Sequence, residues 1–154
     1  MKSLITPLEV VRRAFGSGEY IAPDAVTEAD IIAAEERYLR PILGDALHDR
    51  LLEGAYEEFR QDYLATCTAL FVRVFIQPRL DTRTSALGTL SPKSDNGTAA
   101  DPATRRYLRH NLRTEANTLL RRAVRYLEAH RTEYPEYDAH ENLFYRCSID
   151  GGFL

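Results

Sequence analysis

The fold is decided by the most apolar stretch of the chain, LATCTALFVRVFI, which runs from Leu64 to Ile76. Ten of its 13 residues are apolar, and large apolar side chains recur every three or four residues over the wider segment 56–77. A helix that is apolar on all sides belongs in the centre of a fold. Because the stretch is shorter than the roughly 20 residues of a membrane span and contains Arg73, we expect a buried core helix that ends at Pro78.

Two capping patterns precede this stretch. The sequence Thr6-Pro7-Leu8-Glu9 has the spacing of a capping box with proline at the first helical position, and it predicts a helix over about 7–15. The apolar residues spaced to form the buried face of that helix are Leu4, Leu8, Val11 and Phe15. The sequence Thr27-Glu28-Ala29-Asp30 predicts a second helix start, in which an aspartate occupies the usual position of Glu or Gln.

Two proline and glycine signals lie between the second cap and the core helix. Pro41 is expected to break or kink the second helix, because proline lacks the backbone N–H and its ring clashes with the preceding turn. The segment 44–52 has the apolar spacing of one more short helix, which Gly54 closes.

The second half of the chain predicts one long helix. Asp101-Pro102 forms its cap, and the helical period continues to about Arg131. The residues expected on its buried stripe are Leu108, Leu112, Ala116, Leu119, Ala123 and Leu127. The sequence therefore predicts an all-α fold, a small helical bundle with a central apolar helix and a long basic helix towards the C-terminus.

Two segments lack a helical period. The segment 81–100 is rich in Thr, Ser, Gly and Asn, and predicts a flexible loop or arm that becomes ordered against a partner. The tail over 132–154 contains aromatic residues without a clear period, and predicts irregular or extended structure with one short strand at about 147–149. At 154 residues the whole chain is expected to form a single domain.

Charge is distributed unevenly along the chain. The net charge is −3, but residues 1–62 carry −6, residues 63–132 carry +7 and residues 133–154 carry −4. Such asymmetry concerns association rather than fold, since acidic and basic faces can meet within one molecule, between copies or with a polyanion. Hydrophobic residues at 44% exclude a wholly disordered chain.

The sequence contains no pattern that identifies an enzyme or a metal protein. Two cysteines, Cys67 and Cys147, are too few for a disulfide scaffold or a four-ligand zinc site, and a reducing compartment is the default expectation. Asp45-x-x-His48 has no second copy of the kind that a di-iron bundle needs. The doublets Glu35-Glu36 and Glu57-Glu58 are expected on solvated faces. No cofactor or metal, no secretory signal and no membrane span are predicted.

The arginines of the long helix are the one functional signal above background. Eight arginines accompany only two glutamates between positions 102 and 131. Those expected to face away from the buried stripe, and proposed as an interface, are Arg106, Arg113, Arg121, Arg122 and Arg125. They could pair with acidic helices of the same or another molecule, or they could neutralise nucleic-acid phosphates.

Several ordered segments resemble a known family. They are the opening Leu4-Ile5-Thr6-Pro7, the run from Ala33 to Gly44, the stretch from Glu115 to Leu120, and the ending from Tyr134 to Tyr137 and on to Arg146–Gly152. These segments resemble small helical proteins from prophages of Bacteroidetes, which are similar to the head-tail connector (adaptor) proteins of tailed double-stranded DNA phages. The resemblance spans nearly the whole chain and rests on structural residues.

The resemblance implies a structural protein without chemistry or cofactor. It implies a ring of identical subunits beneath the portal protein, joined to a tail or stopper protein, with DNA passing through the channel without sequence-specific binding. The expected location is the virion neck, and the bacterial host cytoplasm during assembly. A small nucleic-acid-binding accessory protein that uses the arginine-rich helix is the alternative, and an enzyme is a distant third.

Overall fold

The apolar stretch forms α6, Ala65–Leu80, which is the central helix of the protein. The computed structural model describes residues 2–19, 21–85, 88–90 and 100–145. In this part of the chain α6 packs against α1 (Pro7–Ala14), α2 (Glu28–Ala34) and α7 (Pro102–Ala129). Most of the side chains of α6 are buried, as a helix apolar on all sides requires. The fold is all-α, as the sequence predicts.

Helix α1 begins with the predicted capping box. The Thr6 hydroxyl accepts the Glu9 backbone N–H, and the Glu9 carboxylate accepts the Thr6 N–H at 2.8 Å. The predicted buried face is wrong at one position, because Leu8 is 58% exposed. The helix buries Val10 and Ala14 instead, so its inward face is rotated from the expected stripe.

Pro41 neither breaks nor ends the second helix. Helix α2 has the predicted capping box of Thr27 and Asp30, and continues through a π-helical turn, Glu35–Leu39, into α3, Arg40–Leu43. The wider turn just before the proline accommodates the missing N–H and the bulky ring. Gly44, at φ 80°, then lets the chain turn into α4, Asp45–Leu52.

The core helix is longer than predicted at its C-terminal end. It is preceded by α5, Glu57–Phe59, and by a second π-helical turn, Arg60–Leu64. Pro78 lies inside the last turn of α6 and does not end it, because the Asp81 N–H still reaches the Gln77 carbonyl at 2.9 Å. The expectation that the helix stops at Pro78 is therefore wrong by two residues.

Helix α7 has the predicted cap, in which the Asp101 carboxylate accepts the Thr104 N–H at 2.6 Å. Its buried residues are Leu112, Ala116, Leu120, Ala123, Val124 and Leu127. Leu108, predicted on the buried stripe, is 36% exposed, and Leu119 is only partly buried. The first two turns of α7 thus extend beyond the apolar core.

The predicted loop and tail differ in their degree of structure. The segment 81–100 contains a short antiparallel hairpin, β1 (Arg83–Ser85) paired with β2 (Gly88–Leu90), and its remaining residues lie mostly outside the described part. The tail forms turns over 132–141 and a short helical segment at 143–145, and it buries Tyr134, Tyr137 and Asn142 against the core. The strand expected at 147–149 lies outside the described residues.

An aromatic cluster joins the tail to the helices. The Tyr63 and Tyr126 rings stack at 4.3 Å between centroids, and Phe59 lies 5.8 Å from Tyr126 and 5.2 Å from Tyr134. Such contacts add to the apolar area that each ring buries. The cluster therefore fixes α7 and the start of the tail on the segment that leads into α6.

In the described part of the chain, no helix has the length and apolarity that crossing a membrane requires.

Candidate functional site

The five predicted interface arginines are all exposed on α7. None of them forms an ion pair with a carboxylate in the part of the chain that the structure describes. The structure does not bring them together into one surface, however. Arg106 and Arg113 line a groove near the start of the helix, whereas Arg121, Arg122 and Arg125 lie towards its other end.

Two arginines of the second group, Arg121 and Arg122, lie over aromatic rings. The Arg122 guanidinium lies 4.5 Å from the centroid of the Tyr63 ring, and that of Arg121 lies 5.3 Å from the Phe144 ring. These cation–π contacts hold the guanidiniums without neutralising them. We call Arg121, Arg122 and Arg125 the distal arginines.

A cationic groove lies between the start of α7 and the centre of the molecule. It has a volume of about 420 Å³. Its basic lining residues are Arg37, Arg106, Arg109, His110 and Arg113, and its other lining residues are Tyr38, Val74, Phe75 and Pro78. No carboxylate is found among the described residues of this lining. The groove therefore concentrates four guanidinium charges.

Helical spacing explains how α7 contributes to the groove. Arg106, Arg109, His110 and Arg113 are spaced i, i+3, i+4 and i+7, which places them on one side of the helix. Further along α7 the inward side carries Leu112 and Ala116, which are buried. The inward side of α7 therefore changes from apolar to basic where the helix extends beyond the core.

The fourth arginine of the groove comes from the π-helical turn. Arg37 lies 5.4 Å from the centroid of the neighbouring Tyr38 ring, and Arg113 from α7 lies 6.0 Å from the same centroid. Tyr38 in turn stacks on Phe71 of α6, at 4.7 Å and 11° between the ring planes. A packed aromatic ring thus fixes the position at which the two helices present their guanidiniums.

A buried carboxylate and a buried imidazole form a separate polar pair. Glu35 is 1% exposed, which contradicts the expectation of a solvated Glu35-Glu36 doublet. Its carboxylate accepts the Leu4 N–H at 2.7 Å and lies 3.7 Å from Nε2 of His48, also 1% exposed. Both His48 nitrogens lack a hydrogen-bond partner in the described part. Neither residue lines the groove, and the bond to Leu4 gives Glu35 a structural role.

Neither metal binding nor thiol chemistry is supported at the described residues. No group of three or more His, Cys, Asp or Glu side chains is placed there to hold a metal ion. Cys67 is fully buried in α6, and burial raises the pKa of its thiol to about 12, so it is not a thiolate near neutral pH. Cys147 lies outside the described residues.

Sequence reasoning missed Arg37, Arg109 and Tyr38 as members of the groove. The spacing of Arg109 and His110 with Arg106 and Arg113 is visible in the sequence as one helical face. No local signal connects Arg37 with α7, because the two meet only through the packing of Tyr38 on the core.

Comparison with known proteins identifies a family. A model described as "Family of unknown function (DUF6712)" matches residues 35–146, which include every residue of the groove and the distal arginines. No curated protein and no solved structure matches the chain. Since the matched residues make up almost three quarters of the sequence, the chain belongs to the DUF6712 family.

Proposed function

We propose that the protein is a structural subunit, a head-tail connector (adaptor) of a tailed double-stranded DNA phage or prophage. In this proposal its copies form a ring beneath the portal protein, join the head to a tail or stopper protein and continue the DNA channel. The resemblance of the ordered segments suggests this function. The observation that carries it is the group of exposed distal arginines without an ion pair among the described residues.

A ring of one subunit type needs two different, complementary surfaces on each copy. The distal arginines supply a basic surface. An acidic counterpart is available on the helix that precedes the core, where Glu58 and Asp62 are exposed and form no ion pair in the described part. We therefore propose that the distal arginines of one subunit contact the Glu58–Asp62 surface of the next.

The experiment is native mass spectrometry of the purified chain with matched charge variants. Arg121→Glu with Arg125→Glu is expected to abolish ring assembly without changing the thermal unfolding of the subunit, because both side chains are exposed. Lys2→Glu with Arg12→Glu changes the net charge by the same amount on exposed residues elsewhere, and is expected to leave the rings intact.

A mixing experiment tests which surfaces meet. Glu58→Arg with Asp62→Arg is expected to abolish assembly by itself. Mixed in equal amounts with the Arg121→Glu/Arg125→Glu chain, it should restore rings in which the two variants alternate, because every interface then pairs opposite charges. Rings that persist in the arginine variant refute the interface. A wild-type chain that stays monomeric at every concentration and ionic strength refutes self-assembly.

A further inference from the structure

We infer that the cationic groove of Arg37, Arg106, Arg109 and Arg113 binds closely spaced phosphate groups, such as those of a nucleic-acid strand. The groove lies within one subunit and shares no residue with the distal arginines. This inference therefore does not rest on the ring interface proposed above.

The lining of the groove carries an excess of positive charge. Four guanidiniums and the His110 imidazole line a volume of about 420 Å³, and no carboxylate among the described residues lines it with them. Like charges three or four residues apart on a helix destabilise it. A bound polyanion removes this repulsion, so the lining favours an anionic ligand.

Other arginines of the chain are paired with carboxylates. Arg40 contacts three carboxylates, on Glu36, Asp45 and Asp49, at 2.6, 2.6 and 2.9 Å. An arginine that serves the fold of this protein can thus be neutralised within the chain. The groove arginines form no ion pair in the described part, and the Asp101 carboxylate interacts with Arg106 only from beyond ion-pair distance.

The groove is long enough for more than one anionic group. Arg106 and Arg113 are seven residues apart, which is about 10 Å along α7 at 1.5 Å per residue. Four guanidiniums over this length suit a ligand that carries several anionic groups in a row, as a nucleic-acid strand does. Arginine is a residue of choice for phosphate and nucleic-acid recognition, because its planar fork binds two phosphate oxygens at once.

The Tyr38 ring of the groove is not a free platform for a base. It packs on Phe71 and is approached by two guanidiniums, so these groups are already in contact with it within the protein. The basic lining residues are therefore expected to supply most of the binding, through phosphate contacts that carry no sequence information.

The test measures binding of a fluorescently labelled 12-nucleotide single strand to the full chain by anisotropy. In 50 mM salt, Arg109→Gln with Arg113→Gln is expected to weaken binding at least tenfold. The slope of log K against log salt should become less steep by about 1.4, since each phosphate contact to a single strand contributes about 0.7. Lys2→Gln with Arg12→Gln removes the same charge from exposed residues outside both the groove and the distal arginines, and should change affinity less than twofold.

Competition distinguishes the sources of phosphate. If tripolyphosphate displaces the strand from the wild type and fails to bind the groove variant, the groove is a phosphate site. If tripolyphosphate also binds more tightly than the strand does, the ligand of the groove is a free polyphosphate. An equal loss of affinity in both double variants would overturn the inference, because binding would then follow overall charge. A synthetic peptide of residues 133–145 that binds while neither phosphate ligand does would also overturn it.

Discussion

Four arginines that precede α7 and five arginines on α7 have opposite surroundings. Each of the four in the first region contacts at least one carboxylate of its own chain, namely Arg40, Arg60, Arg73 and Arg79. On α7, Arg109, Arg113 and the distal arginines form no ion pair with a carboxylate in the described part of the chain. The same residue type thus stabilises the fold in one region and leaves charge available to other molecules in the other.

This difference follows the uneven distribution of charge along the chain. The first 62 residues contain almost twice as many acidic as basic side chains, so carboxylates are available there to pair with arginines. Helix α7 contains only Glu115 and Glu128 as acidic residues. The first 62 residues therefore keep an excess of negative charge after folding, and α7 keeps an excess of positive charge. Each excess is expected to bind an oppositely charged surface of a partner.

Loss of Arg73 gives the largest expected effect. Its guanidinium, buried in α6, donates to the Ala14 carbonyl and to the Glu19 carboxylate, and lies 4.4 Å from the centroid of the Phe15 ring. Arg73→Met should lower the free energy of unfolding by about 2 to 4 kcal/mol, because the Ala14 carbonyl loses its partner in a buried site. Urea denaturation followed by circular dichroism measures this change.

Arg113→Met is the matched control for that variant. Because Arg113 is exposed, its loss should change the unfolding free energy by less than about 0.5 kcal/mol. Equal destabilisation by the two substitutions would remove the distinction between structural and available arginines.

The Asp30–Arg79 pair makes stability depend on pH. A hydrogen bond from the Arg79 guanidinium is the main cause that lowers the pKa of Asp30 from 3.8 to about 2. A lowered pKa in the folded state stabilises the protein above pH 4, and this contribution disappears as the pH falls from about 4 to about 2. Asp30→Asn should therefore cost about 1 to 2 kcal/mol at pH 7.

Urea denaturation at pH 7, 4 and 2.5 checks this prediction. The difference between the wild type and Asp30→Asn should shrink towards the lowest pH. Asp24→Asn, at an exposed carboxylate without an ion pair in the described part, should have little effect at any of them. A difference that stays constant with pH would assign the cost of Asp30→Asn to packing instead of charge.

The smallest expected effect is on how stability depends on salt. Salt should reduce the destabilisation caused by losing Arg40 and the stabilisation caused by losing Arg109. Arg40→Gln removes an arginine from its three carboxylates and should destabilise the protein by about 1 kcal/mol at low salt. Arg109→Gln relieves repulsion in the groove and should stabilise it by about 0.3 kcal/mol. Both changes should vanish near 1 M NaCl, where charges are screened within a few ångströms. Changes of the same sign would contradict the comparison.

Helix starts could be predicted from the sequence because their causes are local. Both capping boxes connect residues three positions apart, and both form as the sequence predicts, at Thr6 and at Thr27. The cap at Asp101 is equally local. The effect of Pro78 was overestimated, since a proline in the last turn removes only one hydrogen bond and the residues after it still find their own carbonyls.

Burial and the groove depend on contacts that the local sequence does not contain. Helical period marks an apolar face, but it does not tell how far the core extends along it, which is why Leu8 and Leu108 are exposed. Glu35 is buried because its carboxylate reaches Leu4, 31 positions away in the chain. Two of the five predicted arginines line the groove, whereas Arg37 joins them only through the tertiary packing of α7.

Because Cys67 is buried, the rate at which its thiol reacts with a reagent reports how often the core opens. The thiol is buried in the first turn of α6 and donates to the Leu64 carbonyl at 3.1 Å. In a Cys147→Ser variant Cys67 is the only thiol of the chain, so a disulfide reagent can react only when the core separates. Labelling kinetics would then time the opening of the core around the start of α6, both in a free subunit and in any assembly that it enters.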